Sequence, residues 1–132
     1  MAISKTTRKQ VFDVYGGRCA YCGCELSKGW HVDHIEAVVR RKKRIDGKLV
    51  DAGFERPEND CVENMAPSCP PCNIQKHGQT VEVFRSQIAA FINSLNQYHS
   101  IYRFAKRYGL IEETNKPVVF YFETIAANES TL

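Results

Sequence analysis

The chain has 132 residues, about the size of one ordinary domain, which excludes most multidomain enzymes. Hydrophobic residues make up 43% and charged residues 25%, values that predict a real but modest core and argue against a disordered chain. Lys and Arg total 18 against 15 acidic residues, but Arg40, Arg41, Lys42, Lys43 and Arg44 are five consecutive cations and the acids outnumber the rest, so the net charge of +3 is a local positive field.

In chain order, residues Met1 to Arg8 (MAISKTTR) hold no apolar stretch and no cleavage-like site. No later apolar run approaches the about 18 residues of a membrane span, so the cytoplasm is the expected compartment. Thr7-Arg8-Lys9-Gln10 has the form of a capping box, and Val11, Phe12, Val14 and Tyr15 give one apolar face to a first helix that Gly16-Gly17 ends. Cys19-Ala20-Tyr21-Cys22-Gly23 reads as a tight knuckle, and residues 30–39 carry strand-forming side chains, enough for one or two strands. The basic stretch over about 40–58 reads as an insertion loop or ribbon, with Asp46-Gly47 as its hairpin-turn signal.

Pro70-Pro71 suits the first turn of a short helix through Asn73 to about His77, ended by Gly78. Thr80 is placed to cap a longer helix whose Val81, Phe84, Ile88, Phe91, Ile92 and Leu95 recur at helical spacing, a stripe expected in the core. Ile101, Tyr102, Ala105 and Tyr108 predict a further helix up to Gly109, and Val118 to Phe122 predicts a short strand.

Six cysteines in a chain without a secretory signal point to metal thiolates or free thiols rather than disulfides. Cys19-x-x-Cys22 and Cys69-x-x-Cys72 are two thiolate hooks that together complete a closed, structural four-cysteine zinc site. The competing reading, four unrelated buried thiols, requires two paired hooks to have arisen by accident. Cys24 and Cys61 are left over; they replace a ligand, approach each other, or are small buried thiols. Asn73 and His77, four apart on the predicted helix, share a face, and Asp33 adds a carboxylate from the strand. Two protein oxygens and one imidazole suit Mg²⁺, Mn²⁺ or a similar catalytic ion better than a closed zinc cage.

Taken in order, Cys19-Ala20-Tyr21-Cys22-Gly23, Val32-Asp33-His34-Ile35, Glu63-Asn64, Cys69-Pro70-Pro71-Cys72-Asn73 and Lys76-His77-Gly78 resemble the HNH endonuclease family, the ββα-metal nucleases, in the variety pinned by a four-cysteine zinc. The resemblance covers about residues 5–85 and makes this an H-N-N form, with His34, Asn64 and Asn73 as its three letters. It implies that His34 is the general base and that Asn64 ties the hairpin loop and orients that base. It further implies that Asp33, Asn73 and His77 hold one divalent ion, Mg or Mn or else Ni, Co or Zn, against the scissile phosphate. Strict strand alternation sends Asp33 and His34 to opposite faces, so the strand must twist or end near them, or the phosphate must sit between base and ion.

The expected fold is α+β: one domain over residues 1–132, with a zinc-pinned ββα core, a C-terminal helical extension over about 86–132 and a short C-terminal strand. The expected function is metal-dependent hydrolysis of DNA phosphodiester bonds, on double-stranded DNA. Arg40 to Arg44 and Lys76 are the expected DNA contacts. Arg103, Lys106 and Arg107 with Tyr102 and Tyr108 form either a second contact face or an ordinary amphipathic helix. His31 reads as a surface strand residue in preference to a further ligand, and His99 as structural. The resemblance is compatible with a homodimer or with a place in a larger phage or defence assembly. The alternative is a zinc-dependent nucleic-acid-binding or protein-interaction module without catalysis.

Overall fold

Ser4 opens the first helix, α1 (Lys5–Val14): its Oγ accepts the Thr7 N–H at 3.1 Å. The capping box expected at Thr7 therefore does not form, because a serine three residues earlier already takes that N–H and the helix starts sooner. Gly16 and Gly17 end the helix at φ 61° and 74°, and the Gly17 N–H returns to the Phe12 carbonyl at 3.0 Å. The positive φ at Gly17 favours glycine, and a Cβ there would press on the tip of the Phe12 ring at 2.9 Å.

The computed structural model describes residues 3–36, 39–55 and 57–130. After the knuckle comes strand β1 (His31–His34), then β2 (Val39–Ile45) and β3 (Lys48–Glu55), two single 3-10 turns at Pro57–Asn59 and Val62–Asn64, and strand β4 (Met65–Ser68). β1 pairs antiparallel with β4, His31 opposite Ser68 and His34 opposite Met65. Helix α2 (Pro70–Lys76) follows β4 directly, with proline in its first turn as predicted. It ends one residue early, at His77 (φ 51°), rather than at Gly78.

The basic insertion is a ribbon: β2 and β3 form their own two-stranded sheet, separate from β1–β4. Asp46 and Gly47 both take positive φ (51° and 78°), the type I′ geometry whose twist matches a two-residue hairpin. A register shift lies between Arg40 and Lys42, after which Lys43 faces Val50 and Arg44 faces Leu49.

Helices α3 (Val81–Tyr98), α4 (Ser100–Arg107) and α5 (Tyr121–Ser130) complete an α+β chain. The strand expected over Val118 to Phe122 is absent, since α5 begins inside it. Helix starts leave backbone N–H groups without intrahelical partners. Here the Tyr121 and Phe122 N–H groups donate to the Tyr21 and Ala20 carbonyls at 3.0 and 2.8 Å, and Glu123 Oε1 accepts the Phe120 N–H at 2.9 Å. The apolar run supplies rings to a core instead of rungs to a sheet. Phe120 and Phe122 each meet the buried Tyr21 ring edge-on, at 5.6 and 6.1 Å.

The described chain divides into two compact units, one running to Val81 and resuming at Phe120, the other Glu82–Val119. The extension expected over 86–132 is thus not one block, because its last residues belong with the knuckle. The core of the first unit is Val11, Cys19, Ala20, Tyr21, Ala66, Cys69 and Phe120. In the second unit Phe84 is buried, but Phe91 and Ile92 of the expected stripe are 45% and 41% exposed. A unit this small has too much surface for its volume to bury every apolar residue of a long helix. No described helix is long and apolar enough to cross a membrane.

One carboxylate organises the second unit. Glu113 Oε2 accepts from Asn96 Nδ2 and Tyr102 Oη at 2.8 Å each and from Lys106 Nζ at 2.9 Å, joining α3, α4 and the segment beyond. Lys106 also reaches Asn96 Oδ1. Led by the Asn96 bond, these donors hold the Glu113 carboxyl down at about 2. The folded state therefore binds fewer protons than the unfolded chain between about pH 4.5 and 2, and the stabilisation is present above that window and lost as pH falls through it. Glu113→Gln should lower the melting temperature at pH 7, and the gap from wild type should close as melts are repeated down to pH 2.

Candidate metal centre and active site

The knuckle is shaped by its own backbone. Cys19 N–H donates to the Cys24 carbonyl at 2.8 Å, Gly23 N–H to the Cys19 carbonyl at 3.0 Å, and Gly23 takes φ 78°. Ala20 N–H then donates to the Pro67 carbonyl on β4 at 2.8 Å, which stitches the first hook beside the second, Cys69, two residues further on. Cys69 is the extended residue before α2, and Cys72 lies on that helix. The result is four sulfurs, from Cys19, Cys22, Cys69 and Cys72, all within 4.8 Å of one another. Cys22 and Cys69 Sγ are 3.7 Å apart. A tetrahedral zinc with Zn–S bonds of about 2.3 Å requires S···S separations of about 3.8 Å, so the cluster suits a structural metal ion such as zinc.

The thiols themselves bear the strain of that crowding. The Cys72 hydrogen bond holds Cys19 down at about 4, while the same bond pushes the Cys72 thiol up. Burial raises Cys69. Four neighbouring thiols cannot all ionise without a cation among them, and a dication supplies it. Cys24 is exposed rather than buried, and Cys61 is half-buried.

Beside this cluster β1 carries Asp33 and His34 in opposite directions, as strand alternation requires, and the strand ends at His34. Asp33 faces inward. Its Oδ2 accepts the Tyr21 hydroxyl at 2.5 Å and pairs with Lys76 Nζ at 3.1 Å, and Lys76 also donates to the His34 carbonyl at 3.1 Å. Burial and the Asp33 charge push the Tyr21 hydroxyl far up, so it stays a donor. Asp33 Oδ1 has no partner among the described residues.

Lys76 is 1% exposed, with its ammonium 5.7 Å from the centre of the Tyr21 ring. The expectation that it contacts DNA is therefore corrected: its charge is spent inside the protein. Breaking such a buried pair by removing one partner typically costs about 3–5 kcal/mol.

His34 faces the loop before β4. Its Nε2 lies 2.9 Å from Asp60 Oδ1, and both side chains are about one-fifth exposed. Asn64 grips the backbone just after His34: its carbonyl accepts the Ile35 N–H at 2.9 Å, its Oδ1 accepts the Glu36 N–H at 2.9 Å, and its Nδ2 donates to the Glu36 carbonyl at 2.8 Å. Sequence reasoning missed Asp60, because an aspartate 26 positions from its partner carries no periodic or motif signal.

Asn73 is half-buried on α2, which packs on β1. His77 is exposed and caps α2 at φ 51°, its N–H donating to the Asn73 carbonyl at 3.0 Å. Among the described residues the four cysteines are the one cluster of His, Cys, Asp and Glu that gathers three or more metal-binding atoms. On the ribbon, Lys42, Lys43 and Arg44 are exposed, while the side chains of Arg40 and Arg41 lie outside the described residues.

Comparison with protein-family models, with curated proteins and with solved structures finds no match to this chain.

Purified protein should contain about one zinc per chain by elemental analysis, and Cys69→Ser should lose it and melt far below the parent, because structural zinc supplies much of the folding free energy of so small a unit.

Proposed function

We propose that this chain is a metal-dependent DNA endonuclease of the HNH type, with β1, β4 and α2 as its ββα-metal core and His34 as general base. The observation that carries the reading is the setting of His34: it ends β1, partly exposed, and Asn64 bridges the residues after it with three hydrogen bonds. Those bonds are what the resemblance asks of the middle Asn of an H-N-N set. The four-cysteine cluster supports the reading, because the resemblance implies a structural zinc on the same four residues.

In this reading His34 takes a proton from a water whose oxygen attacks phosphorus, as the bond from phosphorus to the 3′ oxygen breaks. Asp33, through Oδ1, with Asn73 and His77, would hold a divalent ion, which when bound supplies charge stabilisation at the phosphate and the leaving oxygen. Asn64 holds the loop on which the base stands. Lys42, Lys43 and Arg44 on the ribbon supply positive charge for backbone phosphates of double-stranded DNA.

One observation favours a second reading, a zinc-dependent binding module without catalysis: Asp33 already has Lys76 as its counter-charge, which weakens its pull on a cation. Nicking of supercoiled plasmid with Mg²⁺ or Mn²⁺, abolished by chelator, separates the two. His34→Ala should lower the cleavage rate by about 10²–10⁴ while DNA binding persists; cleavage at the parental rate would remove His34 from the mechanism. Changing Lys42, Lys43 and Arg44 to Gln should flatten the slope of log affinity against log salt by about two to three, without lowering turnover at saturating DNA. Fluorescence anisotropy across a salt series measures the slope.

A further inference from the structure

We infer that Asp60 is the positioning residue of His34, fixing which ring nitrogen receives the proton; this rests on the reading of His34 as the base. A carboxylate accepts hydrogen bonds and donates none. With Asp60 Oδ1 at 2.9 Å from Nε2, the ring carries its proton on Nε2 and presents the Nδ1 lone pair. His34 Nδ1 has no partner among the described residues, which leaves it for a water.

The loop that holds Asp60 is built for the purpose. Asp60 N–H closes the turn at Pro57–Asn59 by donating to the Pro57 carbonyl at 3.0 Å, and Asn64 N–H closes the turn at Val62–Asn64 by donating to the Cys61 carbonyl at 3.0 Å. One short segment thus pins the ring through Asp60 and the following backbone through Asn64. Lys76 holds the His34 carbonyl from the opposite side, at 3.1 Å. Backbone pins leave the side-chain torsions of His34 free. Asp60 supplies the contact that stops the ring turning, and its negative charge faces the imidazolium that forms once the proton has moved.

Two variants and two readouts test this. Asp60→Ala should lower kcat for DNA cleavage by about tenfold to a hundredfold, part of the about 10²–10⁴ that a general base supplies, with KM for DNA unchanged. Asp60→Asn, whose amide oxygen still accepts from Nε2–H, should recover part of that loss. Independently of activity, proton NMR of the wild type should show one exchange-protected, low-field imidazole N–H. That signal should be absent from both His34→Ala, which assigns it, and Asp60→Ala. A wild type that cleaves DNA while Asp60→Ala keeps the parental kcat, or lacks any such protected proton, overturns the Asp60 assignment alone. A wild type that shows the protected proton but cuts no DNA with any divalent ion overturns the nuclease reading and the catalytic purpose of Asp60 with it.

Discussion

Everything in the first unit depends on bringing four sulfurs within 4.8 Å when two of them, Cys22 and Cys69, are 47 positions apart. The backbone bond from Ala20 to Pro67 does this by laying the knuckle along β4 just before the second hook. Because β4 also pairs with β1 and runs into α2, the same strand that completes the cysteine cluster sets the places of Asp33, His34 and Asn73. Helix α5 then closes over the knuckle, its first free N–H groups satisfied by the carbonyls of Ala20 and Tyr21. A metal ion in the cluster would tighten all of these elements at once, since the crowded thiols resist joint ionisation until a dication is present.

A second constraint runs beneath the candidate active site. Tyr21, Lys76 and Asp33 form a buried hydroxyl, ammonium and carboxylate set in which each polar group has a partner. Burial makes the set costly to break, and Lys76 extends it to the His34 carbonyl. The side facing the core is thereby tied down by hydrogen bonds and an ion pair, while the His34 ring stays on the accessible side. Asp33 and His34 lie on opposite faces of β1, which ends at His34: Asp33 Oδ2 meets Tyr21 and Lys76, and His34 faces the Asp60 loop.

Much of the fold was legible wherever the signal is local. The glycine stop after α1, the Asp46-Gly47 turn, the prolines opening α2 and the Gly109 stop after α4 follow from dihedral preferences acting over a few residues. The Thr7 capping box failed because two polar residues competed for one N–H and the earlier one took it. The spacing of Asn73 and His77 does not reveal the left-handed dihedral that His77 takes where it caps α2.

By itself the sequence determined the chemistry available and its order along the chain: two cysteine hooks, an Asp-His pair, an asparagine on each side of the second hook's approach, and a run of cations with a turn inside it. These are covalent facts or short-range ones. Tertiary structure alone decided that Lys76 is an interior counter-charge rather than a phosphate contact, that Asp60 meets His34, and that the apolar run beginning at Val118 feeds a helix. In each case the deciding partner lies tens of positions away. A side chain or backbone N–H takes whichever acceptor packing brings within about 3 Å, and no pattern in the neighbouring residues records which one that will be.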